Sequence, residues 1–247
     1  MNDPVNLLLV GAAFLIAGGV KGVIGMGLPT VAVGILSLAM PPAQAAAILV
    51  APSLVTNVWQ SVAGPNLKPL LRRLWTLFAG VCVGIFAGAG MLTSDSSGRA
   101  VLGLGICLIV YALLGLSAVR FHVPRRAEPW LSPLVGLATG LVTGATGIFV
   151  IPAVPYLQAL DLDRDDLVQA LGLSFTTSTL ALAYVLTQAG ILQSSLAGLS
   201  LLAIAPALAG MVAGQMVRGR IPPDAFRICF FVGMLLLGAH LALRVVL

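Results

Sequence analysis

Residues 19–30 read GVKGVIGMGLPT, placing four glycines, a proline and a lysine inside an otherwise apolar stretch. Glycine weakens a helix interior, and proline removes a backbone donor and breaks the helix around it. The stretch therefore predicts a break in a helix, and the composition around it says where that helix lies. The 247 residues are 59% hydrophobic and only 9% charged, with a mean hydropathy of +1.08. An ordinary soluble domain carries about 25% charged residues. Surface-to-volume scaling denies a water-soluble fold of this size enough interior to hide so much apolar surface. Apolar runs recur along the chain at lengths near the roughly 20 residues that cross about 30 Å of hydrocarbon. The fold class is all-α and polytopic, spanning a membrane.

The apolar runs divide into eight hydrophobic segments at 5–39, 43–63, 70–92, 98–118, 130–160, 166–188, 194–217 and 223–246. The first and fifth are overlong: a straight helix over 5–39 would reach about 52 Å. Both carry glycine-rich interruptions, Gly22, Gly25 and Gly27 with Pro29, and Gly140, Gly144 and Gly147 with Pro152. The coincidence points to two four-segment repeats. GVIGMGLP at 22–29 aligns with GATGIFVIP at 144–152, QAAAILVAPS at 44–53 with QALGLSFTTS at 169–178, and GIFAGAG at 84–90 with GMVAGQM at 210–216. The chain divides into an N-terminal repeat over 1–122, a basic cytoplasmic linker over 123–129 and a C-terminal repeat over 130–247.

Charge decides the orientation. If all eight segments cross, the basic loops fall on both sides. If segments one and five enter, break and return, then Lys68, Arg72, Arg73, Arg120, Arg125, Arg126, Arg164, Arg218, Arg220 and Arg227 share one face, with only Arg99 and Arg244 opposite. That asymmetry marks a cytoplasmic face. The first and fifth segments are thus expected to be broken or re-entrant, and three crossings per half make the repeats inverted. Trp75 and Trp130 fall beside basic clusters, where interfacial anchors belong. The first segment follows no basic n-region and precedes no small-x-small cleavage site, so it is expected to be retained.

Irregular backbone at membrane depth survives only when buried in protein or lining a wet cavity. Pro29 and Pro152 stand where new half-helices would start. Their free N–H groups and partial positive charge are expected to meet near the midplane as an anion site. Asp3, Asp95, Glu128, Asp161, Asp163, Asp165, Asp166 and Asp224 all lie in loops or at segment starts. No carboxylate is left in a span to hold a cation, and Lys21 is the one clear ionisable residue within a segment. Lys21 faces either the site or, by snorkelling, an interface. Ser53, Thr56, Asn57, Gln60 and Ser61 on segment two, and Ser174, Thr176, Thr177, Ser178 and Thr179 on segment six, form a hydroxyl and amide layer. Thr143 and Thr146 extend it at the second break. Each of these is more readily structural than substrate-touching, but together they could offer donors to anion oxygens. Cys82, Cys107 and Cys229 read as buried free thiols, and His122 and His240 as structural.

At the glycine–proline turns, KGVIGMGLP and TGATGIFVIP, the chain resembles the sulfite exporter TauE/SafE family across essentially its whole length. The family turn maps onto Gly22, Gly25, Gly27 and Pro29, and onto Gly144, Gly147 and Pro152. Met26 interrupts the first cluster, and Ile148 with Phe149 occupies the second. The resemblance implies a bacterial inner-membrane protein that moves sulfite, a sulfonate or a related organosulfur anion. The expected substrate-binding residues are Lys21, Gly22, Gly25, Met26, Gly27, Pro29, Ser53, Asn57, Thr143, Gly144, Thr146, Gly147, Pro152, Thr177 and Ser178. The expected partners are a small anionic substrate and the lipid bilayer, with no nucleic acid; a homo-oligomer stays open. No cofactor, metal or enzymatic activity is expected, because no P-loop, H-E-x-x-H or Cys/His cluster occurs. A secondary transporter working by alternating access leads; an anion channel is the nearest alternative, ahead of an integral-membrane enzyme or an assembly subunit.

Overall fold

A computed structural model describes residues 4–94, 97–117, 122–220 and 222–246. Asp3, Asp95 and Arg120 lie outside the described residues. Every regular element among those described is a helix: α1 (Pro4–Ile24), α2 (Leu28–Leu36), α3 (Pro42–Val62), α4 (Leu67–Thr93), α5 (Ser97–Ser117), α6 (Glu128–Thr146), α7 (Ala153–Gln158), α8 (Arg164–Gln188), α9 (Ser194–Leu202), α10 (Ile204–Val217) and α11 (Pro223–Val246). Among the described residues, seven spans are long and apolar enough to cross a membrane: one each in α1, α3, α4, α5, α8 and α11, and one formed by α9 with α10. The protein is a multi-pass helical membrane protein.

Both overlong segments break at their glycines. Gly25 and Gly27 adopt φ of 81° and 99°, and Gly147 adopts 78°. This is the left-handed region where a side chain is strained. Pro29 lies in the first turn of α2, where its missing N–H leaves no gap. Pro152 is instead the residue before α7, a helix of only six residues, and residues 148–152 belong to no helix. A third break separates α9 from α10, where the sequence suggests one uninterrupted segment. Pro206, in the first turn of α10, cannot donate to the turn before it and clashes with its carbonyl.

Hydrogen bonds define two ends of the bundle. At one end the Asn66 amide donates to Asp166 at 2.8 Å, Gln169 donates to the Gly64 carbonyl at 2.9 Å, and the Val123 N–H donates to the Ala159 carbonyl at 2.9 Å. Arg73 forks onto the Glu128 carboxylate at 2.6 and 2.8 Å and also reaches the Leu160 carbonyl. The loops carrying most of the basic residues thus share this end. At the other end, Arg244 donates to the Leu38 carbonyl at 2.8 Å. The α6–α7 segment starts and finishes at the basic end, while α2 returns to the opposite one. Each broken segment folds back toward where it began.

The depth of the breaks differs from expectation. At about 1.5 Å per residue, the 21-residue α1 is about 31 Å long, a whole hydrocarbon thickness. Its break therefore comes at the far side and not at mid-depth. Gly25 is level with Gln60 near the end of α3, whereas Gly147 packs against Ala46 near its start. Fourteen residues separate those two points along α3, about 21 Å. The two breaks do not converge on one midplane site.

Helices α3 and α8 form the centre, with 61% and 67% of their spans buried. Around them α1 packs on α10, α6 on α4, and α5 on α11. Glycines spaced four apart let the first two of these pairs meet backbone to backbone. Gly18 meets Ala207, Gly19 meets Gly210 and Gly22 meets Gly214, while Gly80, Gly84 and Gly88 face Gly136, Gly140 and Gly144. A Cβ on Gly140 would sit 2.2 Å from the Val81 carbonyl oxygen, whereas one on Gly90 would meet nothing within 4 Å. Gly140→Ala is expected to lower stability by about 1–3 kcal/mol through overpacking, with Gly90→Ala neutral or mildly stabilising. Thermal unfolding in detergent checks this, and matching midpoints for the two variants would remove the basis for the glycine contacts.

Candidate functional site

Three helix ends and one helix start meet beside the first break. The last turns of α1, α3 and α10 and the first turn of α8 enclose a cavity of about 380 Å³ at the basic end. Lys21, Gly22 and Gly25 come from α1, Thr56, Trp59 and Gln60 from α3, Asp165 and Val168 from α8, and Met211, Gln215 and Arg218 from the α10 end. Lys21 is 4% exposed. The α1 C-terminus favours a cation there, since its last carbonyls carry partial negative charge.

The lysine is held by a directed chain of polar groups. Its Nζ donates to Thr56 Oγ1 at 3.1 Å and to Asn57 Oδ1. Thr56 passes its own hydrogen to the Pro52 carbonyl at 2.8 Å. Asn57 Nδ2 donates to Ser53 Oγ at 2.8 Å, and Ser53 lies 3.1 Å from Thr179 Oγ1. Since Thr179 donates to the Phe175 carbonyl at 2.7 Å, Ser53 is the donor in that pair. Every acceptor in the chain points toward the ammonium and every donor away from it. Two of the three Nζ hydrogens are engaged among the described residues, leaving one free. Lys21 makes no ion pair among them; the pairs there are Arg73 with Glu128 and His122 with Asp161.

The other expected site residues separate into groups. Lys21, Gly22 and Gly25 line the cavity, with Asn57 and Ser53 behind the lysine. Gly22 is also a helix crossing, where a Cβ would lie 2.2 Å from the Met211 carbonyl oxygen. Gly27 and Pro29 begin α2, and a Cβ on Gly27 would lie 3.1 Å from Val20 and 3.5 Å from the Phe230 ring. Met26 borders a second cavity of about 430 Å³ with Tyr111, His122, Val154, Asp161 and Phe231. At the second break Thr143 donates to the Thr139 and Ile148 carbonyls, and Thr146 to the Val142 carbonyl while accepting from the Ile148 N–H. Gly144 is a crossing with α4, and Gly147 is buried against Ala46. Thr177 and Ser178 donate to the Leu173 and Ser174 carbonyls one turn earlier. The hydroxyl donors at 143, 146, 177 and 178 are thus committed to backbone.

Gln60 is the residue whose role the sequence leaves indistinct. It bridges the carbonyl freed at Gly25, at 3.1 Å, and the Val168 carbonyl of α8, at 2.9 Å. Its signal was position alone, one turn beyond Thr56 on the polar face of α3. Among the described residues no group of three or more His, Cys, Asp or Glu side chains could hold a metal ion, and the three cysteines are free thiols.

Broken, glycine-packed helices around a buried lysine define the class as a polytopic membrane protein with an internal polar site. Residues 10–241 match the family described as sulfite exporter TauE/SafE, and the chain belongs to that family. No curated protein and no solved structure matches it. Asn57→Leu removes one acceptor of a charged hydrogen bond, worth about 1.5–3 kcal/mol. It is expected to lower the thermal midpoint clearly more than Asn66→Leu, since Asn66 is itself exposed at the surface. Equal shifts would contradict the support assigned to Lys21.

Proposed function

We propose that the protein is a secondary transporter of the sulfite-exporter type, which binds a small oxyanion such as sulfite or an organic sulfonate beside Lys21. The observation that carries the reading is a buried ammonium with a free N–H, at the wall of a cavity and without a carboxylate partner. A charge taken out of water needs compensation, and an anionic ligand supplies it. The acceptors on Thr56 and Asn57 hold the ammonium in place, so that little reorganisation accompanies binding. Exposed Arg218 at the cavity rim adds positive potential that draws anions inward.

The halves 1–122 and 130–247, joined by the linker 123–129, act in this reading as inverted repeats. Support comes from the packing. Exchanging each helix for its repeat partner turns α1 on α10 into α6 on α4, and α3 on α9 into α8 on α4, while α3 with α8 and α5 with α11 map onto themselves. Alternating access then exposes the ligand first at the basic end and then at the opposite one, where a cavity of about 300 Å³ lies among Pro41, Thr93, Gly190 and Gln193. Met26, Gly147 and the buried Ile148–Val150 stretch serve as packing around that path.

In proteoliposomes, Lys21→Met is expected to lower sulfite flux at sub-saturating substrate by about 10–100-fold, the loss of one charged hydrogen bond. Lys68→Met, exposed at the same end, should leave flux unchanged. Full flux by Lys21→Met would refute the site.

A further inference from the structure

The cavity beside Lys21 is much larger than the polar corner that holds the lysine. Its volume of about 380 Å³ suits an organic ligand, whereas sulfite is a sulfur with three oxygens. Its walls also change character along the depth. Lys21 and Thr56 stand at the inner end, 3.1 Å apart. One turn nearer the basic end on the same two helices come Ile24 and Trp59. Val168 joins this level, because Gln60, the neighbour of Trp59, donates to its carbonyl at 2.9 Å. Met211 faces them from α10, where its carbonyl packs on Gly22. All four residues border the cavity. Each surrounding helix thus gives one large apolar residue to a collar between the ammonium and the mouth.

Trp59 is the most open member of the collar, 68% exposed on a helix that is otherwise central. Trp75 and Trp130 are exposed as well, but they lie on the outer helices α4 and α6 beside arginines, where interfacial anchors belong. An indole at a cavity wall offers a broad, rigid apolar face, and covering it with hydrocarbon is favourable. A bare oxyanion on Lys21 leaves the collar wet and draws nothing from it. An anion with a hydrocarbon body reaches the lysine and dries the collar together.

We propose that this cavity binds an organic anion with an apolar tail, its head group on Lys21 and its tail in the collar, and that Trp59 sets the preference for the tail. The proposal rests on the anion reading of the cavity given above and narrows it from small oxyanions in general to those that carry hydrocarbon. Each methylene moved from water into the collar strengthens binding by up to about fourfold.

The test is calorimetric titration of the purified full-length protein in detergent with sulfite and with methane-, ethane-, propane-1- and butane-1-sulfonate, each corrected against protein-free micelles. The four sulfonates share one head group and one charge, so that only the tail varies. Affinity is expected to rise about two- to fourfold per added carbon. Trp59→Ala should shrink the whole methane-to-butane rise by about threefold or more, and Trp59→Phe should keep most of it. Trp75→Ala should leave the rise unchanged. Lys21→Met should weaken all four sulfonates while preserving the rise. If Trp59→Ala does not fold, the rise on the unmodified protein decides. Equal affinities along the series, or binding of sulfite alone, overturn the apolar-tail requirement and leave the anion reading standing. A rise undiminished in Trp59→Ala overturns the assignment to Trp59. Binding of neither sulfite nor any sulfonate overturns the anion reading of this cavity and the tail requirement with it.

Discussion

Backbone amides removed from water must find partners, and in an apolar surround the penalty for failing is several kcal/mol per group. That constraint organises both breaks. At the first, the carbonyl released at Gly25 is taken by a side chain from another helix, Gln60, which also holds α8. At the second, the groups around Gly147 are satisfied locally by Thr143 and Thr146, without help from α3 or α8. The first solution brings a polar cross-link and a neighbouring lysine to the wall of a cavity. The second closes on itself and is packed by Ile148, Phe149 and Val150, all fully buried.

The position of each break was legible in residues 19–30 and 144–152, because only glycine tolerates the positive φ observed at 25, 27 and 147. The return of each broken segment was legible in the arginines and lysines, whose crowding at one end the side-chain ties reproduce. The depth of the breaks was not. An apolar run marks that a helix continues but not where in the bilayer its glycine falls, and only the length of α1 and its neighbours fixes that. The glycine rows at 80, 84, 88 and 136, 140, 144 were also in plain view at four-residue spacing. Gly22 and Gly144 both pack at helix crossings, Gly22 also at the cavity wall. Most hydroxyls proved to be engaged with their own helices, as Ser and Thr in helix interiors commonly are.

The repeat alignment adds a contrast that neither half shows alone. Shifting 44–53 onto 169–178 places Thr56, Asn57 and Gln60 opposite Ala181, Leu182 and Val185, and the first-break alignment places Lys21 opposite Thr143. Ala181 and Val185 pack with Val81 and Ile85 in a small apolar cluster. If the two stretches are repeats as proposed, one copy bears charge and amides and its counterpart is apolar packing. On the proposed function, the first half supplies the buried lysine, and the second supplies Arg218 and part of the cavity wall.

The glycine rows set a limit on which parts can shift. Where no side chain separates two helices, sliding one along the other drives carbonyl oxygens into the neighbouring backbone, so α1 stays with α10 and α4 with α6. Each of these couples draws one member from either side of the linker. Cutting the chain at residue 122 would therefore not yield two pieces able to rock as wholes. On the proposed alternating access the moving units are interleaved, and the joints left to them are the short helices α2 and α7.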